Sequence, residues 1–315
     1  MSAENQITTD WQRQNVQVVL APRWESVQTQ ERSWLWLNGN RIDDLEAQIQ
    51  ALTRRFDYHW VWRGTEWEYR APGYRRGPML VPLDHEALLT HFLDAWAPQG
   101  AGLLLQSSEP SDVLLMHLQQ LHLLIGADGM PLSFSLEPSR QLEEIGEGLP
   151  SAQRAQLLGP IARLTWRADS EASTEWLQLD MPAHCGGTPL RTGEHLQLTH
   201  EDETALAQAS YRWFIRDTAR LFFQRYPAHT SDLTEQQLCN KLALIDAESD
   251  VLGLALERDA RQYMALRLTY PKELFDRDAT LRKLLCSPQM SARHRLLEAE
   301  EHLSRTARSK VESAS

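Results

Sequence analysis

The arrangement of apolar residues changes near residue 182, and this change constrains the fold more than any other feature. Before it, short apolar segments alternate with segments of helical periodicity, whereas only helical periodicity follows it. Strands that alternate with helices are typical of a domain built around a sheet. The loop at 181–193 is rich in proline and glycine, which indicates a domain boundary. We therefore predict an N-terminal α/β or α+β domain with a mixed sheet, followed by an all-helical C-terminal domain.

Periodicity also predicts the individual elements. The predicted strands lie at 16–20, 33–37, 58–62, 79–83, 102–106, 161–166 and 175–179, and a hairpin joins 122–125 to 132–136. Helices are predicted to begin at Asp43, Asp84, Ser111, Thr199 and Thr234. Asp43 and Glu46 are spaced to cap the first of these helices, and Thr234 with Gln237 forms a capping box.

The length of 315 residues fits two domains, at about 150 residues per domain. Hydrophobic residues make up 42% of the chain, which is too many for a disordered protein and enough for two cores. The predicted organisation is a polar N-terminal segment at 1–32, an α/β domain at 33–182, a linker at 183–198, a helical domain at 199–304 and a flexible tail at 305–315.

Cysteine and histidine positions argue against a metal site. Cys185, Cys239 and Cys286 match no zinc-binding pattern and are too few for a disulfide-stabilised secreted domain. His117 and His122 lie five residues apart where a predicted helix ends, so they do not share one helical face. We interpret both histidines as ordinary polar positions at a helix end, and we expect neither a metal nor a cofactor.

Export and membrane insertion are also not expected. Residues 1–10 are polar and lack the apolar centre of a signal peptide. The most apolar stretch, 113–125, is interrupted by histidine and glutamine, so it does not supply the roughly 20 apolar residues of a membrane span. We therefore expect a cytoplasmic protein in a reducing environment that does not enter a membrane.

Few residues suggest catalysis. Cys185 follows His184, and a thiol beside a base is one arrangement of a nucleophile, although a flexible linker is a poor place to hold such a pair. Glu143, Glu144 and Glu147 offer paired carboxylates, although a solvated helix face is the default interpretation. We expect a protein that is not an enzyme, and a hydrolase of unknown specificity is the alternative.

Residues 54–76, which we call the aromatic–arginine segment, hold six arginines and three acids in a chain whose net charge is −11. Three interpretations remain open: aromatic residues that pack in the core, a protein interface, and a nucleic-acid surface. The overall negative charge disfavours nucleic acid, because phosphate contacts dominate that affinity. The candidate partner-binding residues are Trp60, Trp62, Arg63, Trp67, Arg70, Tyr74, Arg75 and Arg76.

Several motifs stand in a characteristic order. They are GPMLVPL at 77–83, GLLLQSS at 102–108, the leucine-rich stretch at 114–118, Pro138, and LGPI at 158–161. In this order they resemble the adaptor chaperones of the bacterial type VI secretion system over about residues 33–180, and the helical remainder also resembles that family's C-terminal region. The chain departs from the family where an arginine- and aromatic-rich strand usually leads into Asp-Pro-Arg. Here 132–140 keeps Phe134, Pro138 and a displaced Arg140.

The resemblance implies a non-enzymatic role in the cytoplasm. Such an adaptor binds a specific effector toxin, keeps it soluble, and loads it on the spike protein at the tip of the secretion tube. The partners implied are therefore an effector toxin and a spike protein, with no nucleic acid and no membrane.

Overall fold

A computed structural model describes residues 10–27, 31–70, 73–168, 170–171, 173–182, 185 and 187–314. The strands are β1 (Val16–Val19), β2 (Arg32–Asn38), β3 (His59–Trp60), β4 (Pro78–Pro82), β5 (Gly102–Ser107), β6 (Leu123–Ile125), β7 (Pro131–Ser133), β8 (Arg163–Arg167), β9 (Trp176–Asp180) and β10 (Leu196–Gln197). The helices up to residue 158 are α1 (Trp24–Val27), α2 (Leu45–Thr53), α3 (Glu86–His91), α4 (Ser111–Gln120), α5 (Arg140–Gly148) and α6 (Ser151–Leu158). The later helices are α7 (His200–Arg225), α8 (Pro227–Thr230), α9 (Glu235–Val251), α10 (Glu257–Thr269), α11 (Lys272–Arg277), α12 (Ala279–Leu285) and α13 (Ala292–Ala314).

Within the described residues, the strands form a seven-stranded sheet and a three-stranded sheet. The large sheet has the order β1-β9-β8-β5-β2-β4-β3, and each neighbouring pair in it is antiparallel. The small sheet has the order β10-β6-β7. In this sheet β10 runs parallel to β6, whereas β7 pairs antiparallel with β6 and forms the predicted hairpin. The predicted fold class, a sheet-rich N-terminal region with mixed strand pairing before an all-helical region, is confirmed, and the parallel pairing lies in the small sheet.

The two faces of the large sheet belong to different hydrophobic cores. Trp36, Leu105 and Leu164 point to the first core, which α4, α5 and α6 complete. Leu35 and Leu104 point to the second core, which α2 and α3 cover. Central strands with apolar side chains on both faces, as in β2 and β5, require such cover on both sides.

Three local predictions are wrong, one of which is the helix predicted to begin at Asp84, which begins at Glu86. The strand predicted at 58–62 ends at Trp60, after which the chain forms successive turns. The first predicted helix begins at Leu45 rather than at Asp43, and its N-cap residue, Asp44, has a left-handed φ of 49° and makes no side-chain capping bond. By contrast, the capping box of Thr234 and Gln237 is confirmed at the start of α9.

The chain forms two compact units, one of residues 13–211 and one of the described residues up to 12 together with those from 212 onward. Their boundary falls within α7. In the second unit α10 packs against α9 and α13, and Arg267 donates to both carboxylate oxygens of Glu248 at 2.7 and 2.9 Å. Among the described residues, no helix is both long and apolar enough to cross a membrane. The domain limits predicted from the sequence, 33–182 and 199–304, describe parts that fold independently, which compact units do not test, so these limits stay predictions.

Candidate partner-binding surface

The aromatic–arginine segment leaves the sheet at the end of β3 and returns to it at β4 through a short 3₁₀ helix, Tyr74–Arg76. Over residues 61–70 the backbone forms consecutive turns, in which the N–H groups of Arg63, Thr65 and Glu68 each donate to the carbonyl three residues earlier. Turn bonds of this kind join near neighbours in the chain, so the position of the turns depends largely on side-chain contacts. The aromatic residues supply these contacts.

Trp60 and Tyr74 attach the two ends of the segment to the second core. The indole of Trp60 is 6% exposed, and its Nε1 donates to Oε1 of Glu46 on α2 at 2.6 Å. The rings of Trp60 and Tyr74 meet edge to face, with centroids 6.0 Å apart. The guanidinium of Arg75 lies 5.8 Å from the centre of the Tyr74 ring, and the hydrogen bond that it donates to the Tyr74 oxygen raises the pKa of the arginine. Both aromatic residues therefore hold the segment in place.

Trp62 packs against the first core, and Trp67 packs on Trp62 in the middle of the segment. Their ring centroids lie 5.9 Å apart, and Trp62 covers Gly77, where a Cβ would stand 2.4 Å from its ring. Trp67 in turn packs edge-on against His122, with centroids 4.8 Å apart, while the guanidinium of Arg70 stacks over its ring at 4.6 Å. Burial lowers the pKa of His122 and keeps it neutral at pH 7.

The charged ends of the arginines remain at the surface. Arg63, Arg70, Arg75 and Arg76 are all exposed, as is Tyr69, whose side chain is 90% exposed. Arg70 approaches Glu66 at 3.4 Å and Arg76 approaches Asp43 at 3.7 Å, and both are exposed pairs that solvent screens. Within the part of the chain that the structure describes, Arg63 and Arg75 form no ion pair.

An open cleft of about 300 Å³ lies beside this surface. It is lined by Trp60, Arg75 and Arg76 on one side and by Asp43 and Glu46 on the other. Arginine and tryptophan are the residue types most enriched where protein partners bind strongly. The structure thus assigns most aromatic residues of the segment to packing, as one interpretation predicted, and it leaves the arginines available for contacts. That the eight candidate residues bind a partner stays a prediction.

The carboxylates considered for catalysis have structural partners. Glu143 is 3% exposed and forms an ion pair with Arg13 at 2.7 Å, while Glu144 pairs with Arg140 one turn away. The carboxylate of Glu147 accepts hydrogen bonds from the backbone N–H groups of residues 14, 15 and 16 at 2.7–3.0 Å. The interpretation of these residues as a solvated helix face is therefore wrong, because two of them bind the N-terminal strand to α5.

Other candidates are less informative. His184 lies outside the described residues, so its arrangement with Cys185 stays a hypothesis. His117 is not a polar position at the surface: it is fully buried, accepts from the N–H of Leu190 at Nδ1, and donates from Nε2 to the carbonyl of Leu157. Among the described residues, no group of three or more His, Cys, Asp or Glu side chains is placed to hold a metal.

Comparison with known families gives one match. Residues 33–156 match the model of a family described as Domain of unknown function (DUF4123). No curated protein and no solved structure matches the chain. The matched region runs from β2 into α6, so it contains the whole aromatic–arginine segment and the cleft beside it.

Sequence patterns missed several residues of this surface. Glu46 was assigned to capping, whereas it accepts from Trp60. His195 was not considered at all, although its ring lies 6.3 Å from that of His122 beneath Trp67. The spacing of Glu46 and Trp60, fourteen residues across a helix and a turn, carries no local signal for their contact.

Proposed function

We propose that this protein is an adaptor chaperone of a type VI secretion system. It binds one effector toxin in the cytoplasm, keeps it soluble and loads it on the spike protein. The observation that carries the proposal is the family match at 33–156, which contains all but the last, LGPI at 158–161, of the ordered motifs that resemble such adaptors. The function is binding rather than catalysis, and no metal, cofactor, nucleic acid or membrane takes part in it.

The arrangement of the aromatic–arginine segment supports a protein partner. Arg70 and Arg75 already lie over the packed rings of Trp67 and Tyr74, so these two arginines lose less conformational freedom when a partner binds than free side chains would. Arg63 and Arg75 are free of ion pairs among the described residues, and a guanidinium binds a carboxylate through two parallel hydrogen bonds. We therefore assign acidic groups of the effector to this surface.

Affinity capture from the native host tests the function. The tagged protein is purified at moderate salt and its partners are identified by mass spectrometry. We expect one dominant toxin-like protein, with or without a spike protein. If repeated captures recover neither a toxin-like protein nor a spike protein, the adaptor role is refuted.

Charge reversal tests the surface. Arg75→Glu combined with Arg76→Glu is expected to weaken effector binding at least tenfold, since both side chains are exposed and contribute little to folding. The matched control is Arg293→Glu with Arg308→Glu, which changes the net charge equally at two exposed positions of α13. Equal affinity of the two double variants would remove the segment from the interface.

A further inference from the structure

The edge of the large sheet at β1 offers backbone groups that no other strand of the described chain uses. β1 is the first strand in the sheet order and pairs only with β9, in the register Val16↔Leu179 and Val18↔Leu177. In an antiparallel pair, successive residues direct their N–H and C=O groups alternately toward and away from the neighbouring strand. The direction of each residue in β1 therefore decides which groups face outward.

Two independent contacts fix this direction. The N–H of Val16 donates to Oε1 of Glu147 rather than to β9, so the backbone groups of Val16 point away from β9. Because the direction alternates along the strand, the backbone N–H and C=O groups of Val18 also point away from β9. On the other side of β9, the N–H of Met181 donates to the carbonyl of Ala162 beside β8. By the same alternation, the backbone groups of residues 177 and 179 point to β8. The backbone groups of Trp176 and Gln178 therefore bind Val19 and Gln17 of β1.

Val18 thus stands at an open edge. Glu147 already occupies the N–H of Val16, whereas, in the part of the chain that the structure describes, no side chain takes the outward groups of Val18. The side chain of Val18 is 52% exposed and that of Leu20 is 80% exposed. Beyond them, Val19 and Leu20 line an open pocket of about 320 Å³ on the face of the sheet opposite the first core.

Other sheet edges in the described residues are protected. β3 and β10 have only two residues each, and β7 begins with Pro131. Short edge strands and edge prolines are common devices that prevent unwanted strand addition. β1 has neither a proline nor a charged side chain among its four residues, and an exposed apolar side chain, that of Val18, lies beside its free backbone groups, with exposed Leu20 directly after the strand.

We propose that β1 binds an extended segment of the partner protein, which adds to the large sheet as an eighth strand. The backbone groups of Val18 provide main-chain hydrogen bonds, and an apolar side chain of the segment packs on Val18 and Leu20. The inference rests on the proposed function only for the identity of the partner, which is the captured effector. It places a second contact outside the aromatic–arginine segment and outside the matched residues 33–156.

A proline substitution tests the proposal selectively. Val18→Pro removes the outward N–H but keeps the bonds that Gln17 and Val19 make to β9, so we expect the variant to fold and to bind the effector at least tenfold more weakly. The matched control is Ser133→Pro, which places a proline on the exposed edge strand of the small sheet and is expected to bind normally. Hydrogen exchange gives a second readout, because the amide of Val18 is expected to exchange rapidly in the free chain and at least tenfold more slowly in the complex.

The outcomes separate this proposal from the proposed function. An effector that is captured equally by the wild type and Val18→Pro would overturn the edge contact and leave the adaptor role intact. A slowly exchanging Val18 amide in the free chain would show that the edge of β1 is already covered. Concentration-dependent dimerisation that Val18→Pro abolishes would show that a second copy of the chain occupies this edge. Either result overturns the proposal. If no effector is captured, a labelled peptide with the sequence of residues 14–20 is the probe, and absence of binding up to about 1 mM overturns the proposal.

Discussion

The buried histidine of α4 makes the stability of the sheet unit depend on pH. The ring of His117 is fully buried, with one nitrogen accepting from the backbone of Leu190 and the other donating to the backbone of Leu157. The bond from Leu190 requires the neutral ring, since a protonated Nδ1 has no lone pair with which to accept, whereas the bond from Nε2 to Leu157 survives protonation. Burial lowers the pKa of His117 from 6.5 to about 4.

The size and sign of the effect follow from linkage. Because the folded chain binds the proton only near pH 4 and the unfolded chain binds it near pH 6.5, the free energy of unfolding is unaffected above pH 6.5 and falls as the pH drops from there toward 4. Each pH unit in this range costs about 1.4 kcal/mol, so the full loss is about 3 kcal/mol. Between about pH 7.5 and about pH 5.0 the expected loss is ~2 kcal/mol.

Urea denaturation followed by tryptophan fluorescence measures this loss. Nine of the eleven tryptophans lie within residues 13–211, so the signal reports chiefly on the sheet unit. In His117→Gln the side chain does not titrate, and the decrease in the free energy of unfolding from about pH 7.5 to about 5.0 should be smaller by ~2 kcal/mol than in the wild type. His200→Gln, which replaces an 85% exposed ring, is the matched control and should behave as the wild type. The same pH dependence in all three proteins would refute the assignment of a buried, neutral His117.

Two further changes test contacts that the structure assigns to folding. Glu143→Ala leaves the guanidinium of Arg13 buried without its main partner and should lower the free energy of unfolding by about 3 kcal/mol. Glu144→Ala breaks a partly buried pair within one helix and leaves Arg140 bonded to Oγ of Ser210, so it should cost less than about 1 kcal/mol; both losses are measured by urea denaturation. Equal losses would contradict the different roles of the two carboxylates. Glu46→Ala leaves the buried indole N–H of Trp60 without its acceptor and should cost about 1–2 kcal/mol in the same assay; an unchanged stability would show that this bond does not hold the segment.

The central strands could be predicted from sequence because their environment is uniform. β2 and β5 are buried on both faces, so each is a continuous apolar run that only a strand of this length accommodates. The edge of the sheet is different. The strand predicted at 58–62 fails after Trp60 because Trp62 packs on the first core and on Trp67 instead of continuing the ladder of β3. Periodicity does not distinguish an aromatic residue in a strand from one in a packed turn.

The contacts of charged and polar side chains were not predictable, because they join residues far apart in the chain. His117 bonds to residues 40 and 73 positions away, and Glu143 pairs with a residue 130 positions away. A short-range pattern such as Asp43 with Glu46 suggests a cap, but Glu46 accepts the hydrogen bond of the Trp60 indole and the N-cap of α2 has no side-chain capping bond. The exposed arginines of the candidate surface, in contrast, followed directly from composition, since a guanidinium stays at the surface unless it has a partner.

The limits of the matched region also bear on where partners bind. Residues 33–156 include β2, β4 and β5 but not β8 and β9, so the match ends within the sheet rather than at its border. Without β8, strand β5 would be an edge, and Leu103 and Leu105 would lose Leu164 and Trp166 as neighbours in the first core. The matched region is therefore not a folding unit, and the strands outside it are needed for the core on which the aromatic–arginine segment packs. In β1, Val16 belongs to the first core, whereas Val18 is exposed, so a change at Val18 leaves that core intact. This difference gives a physical reason to place partner-specific contacts at the exposed positions of β1.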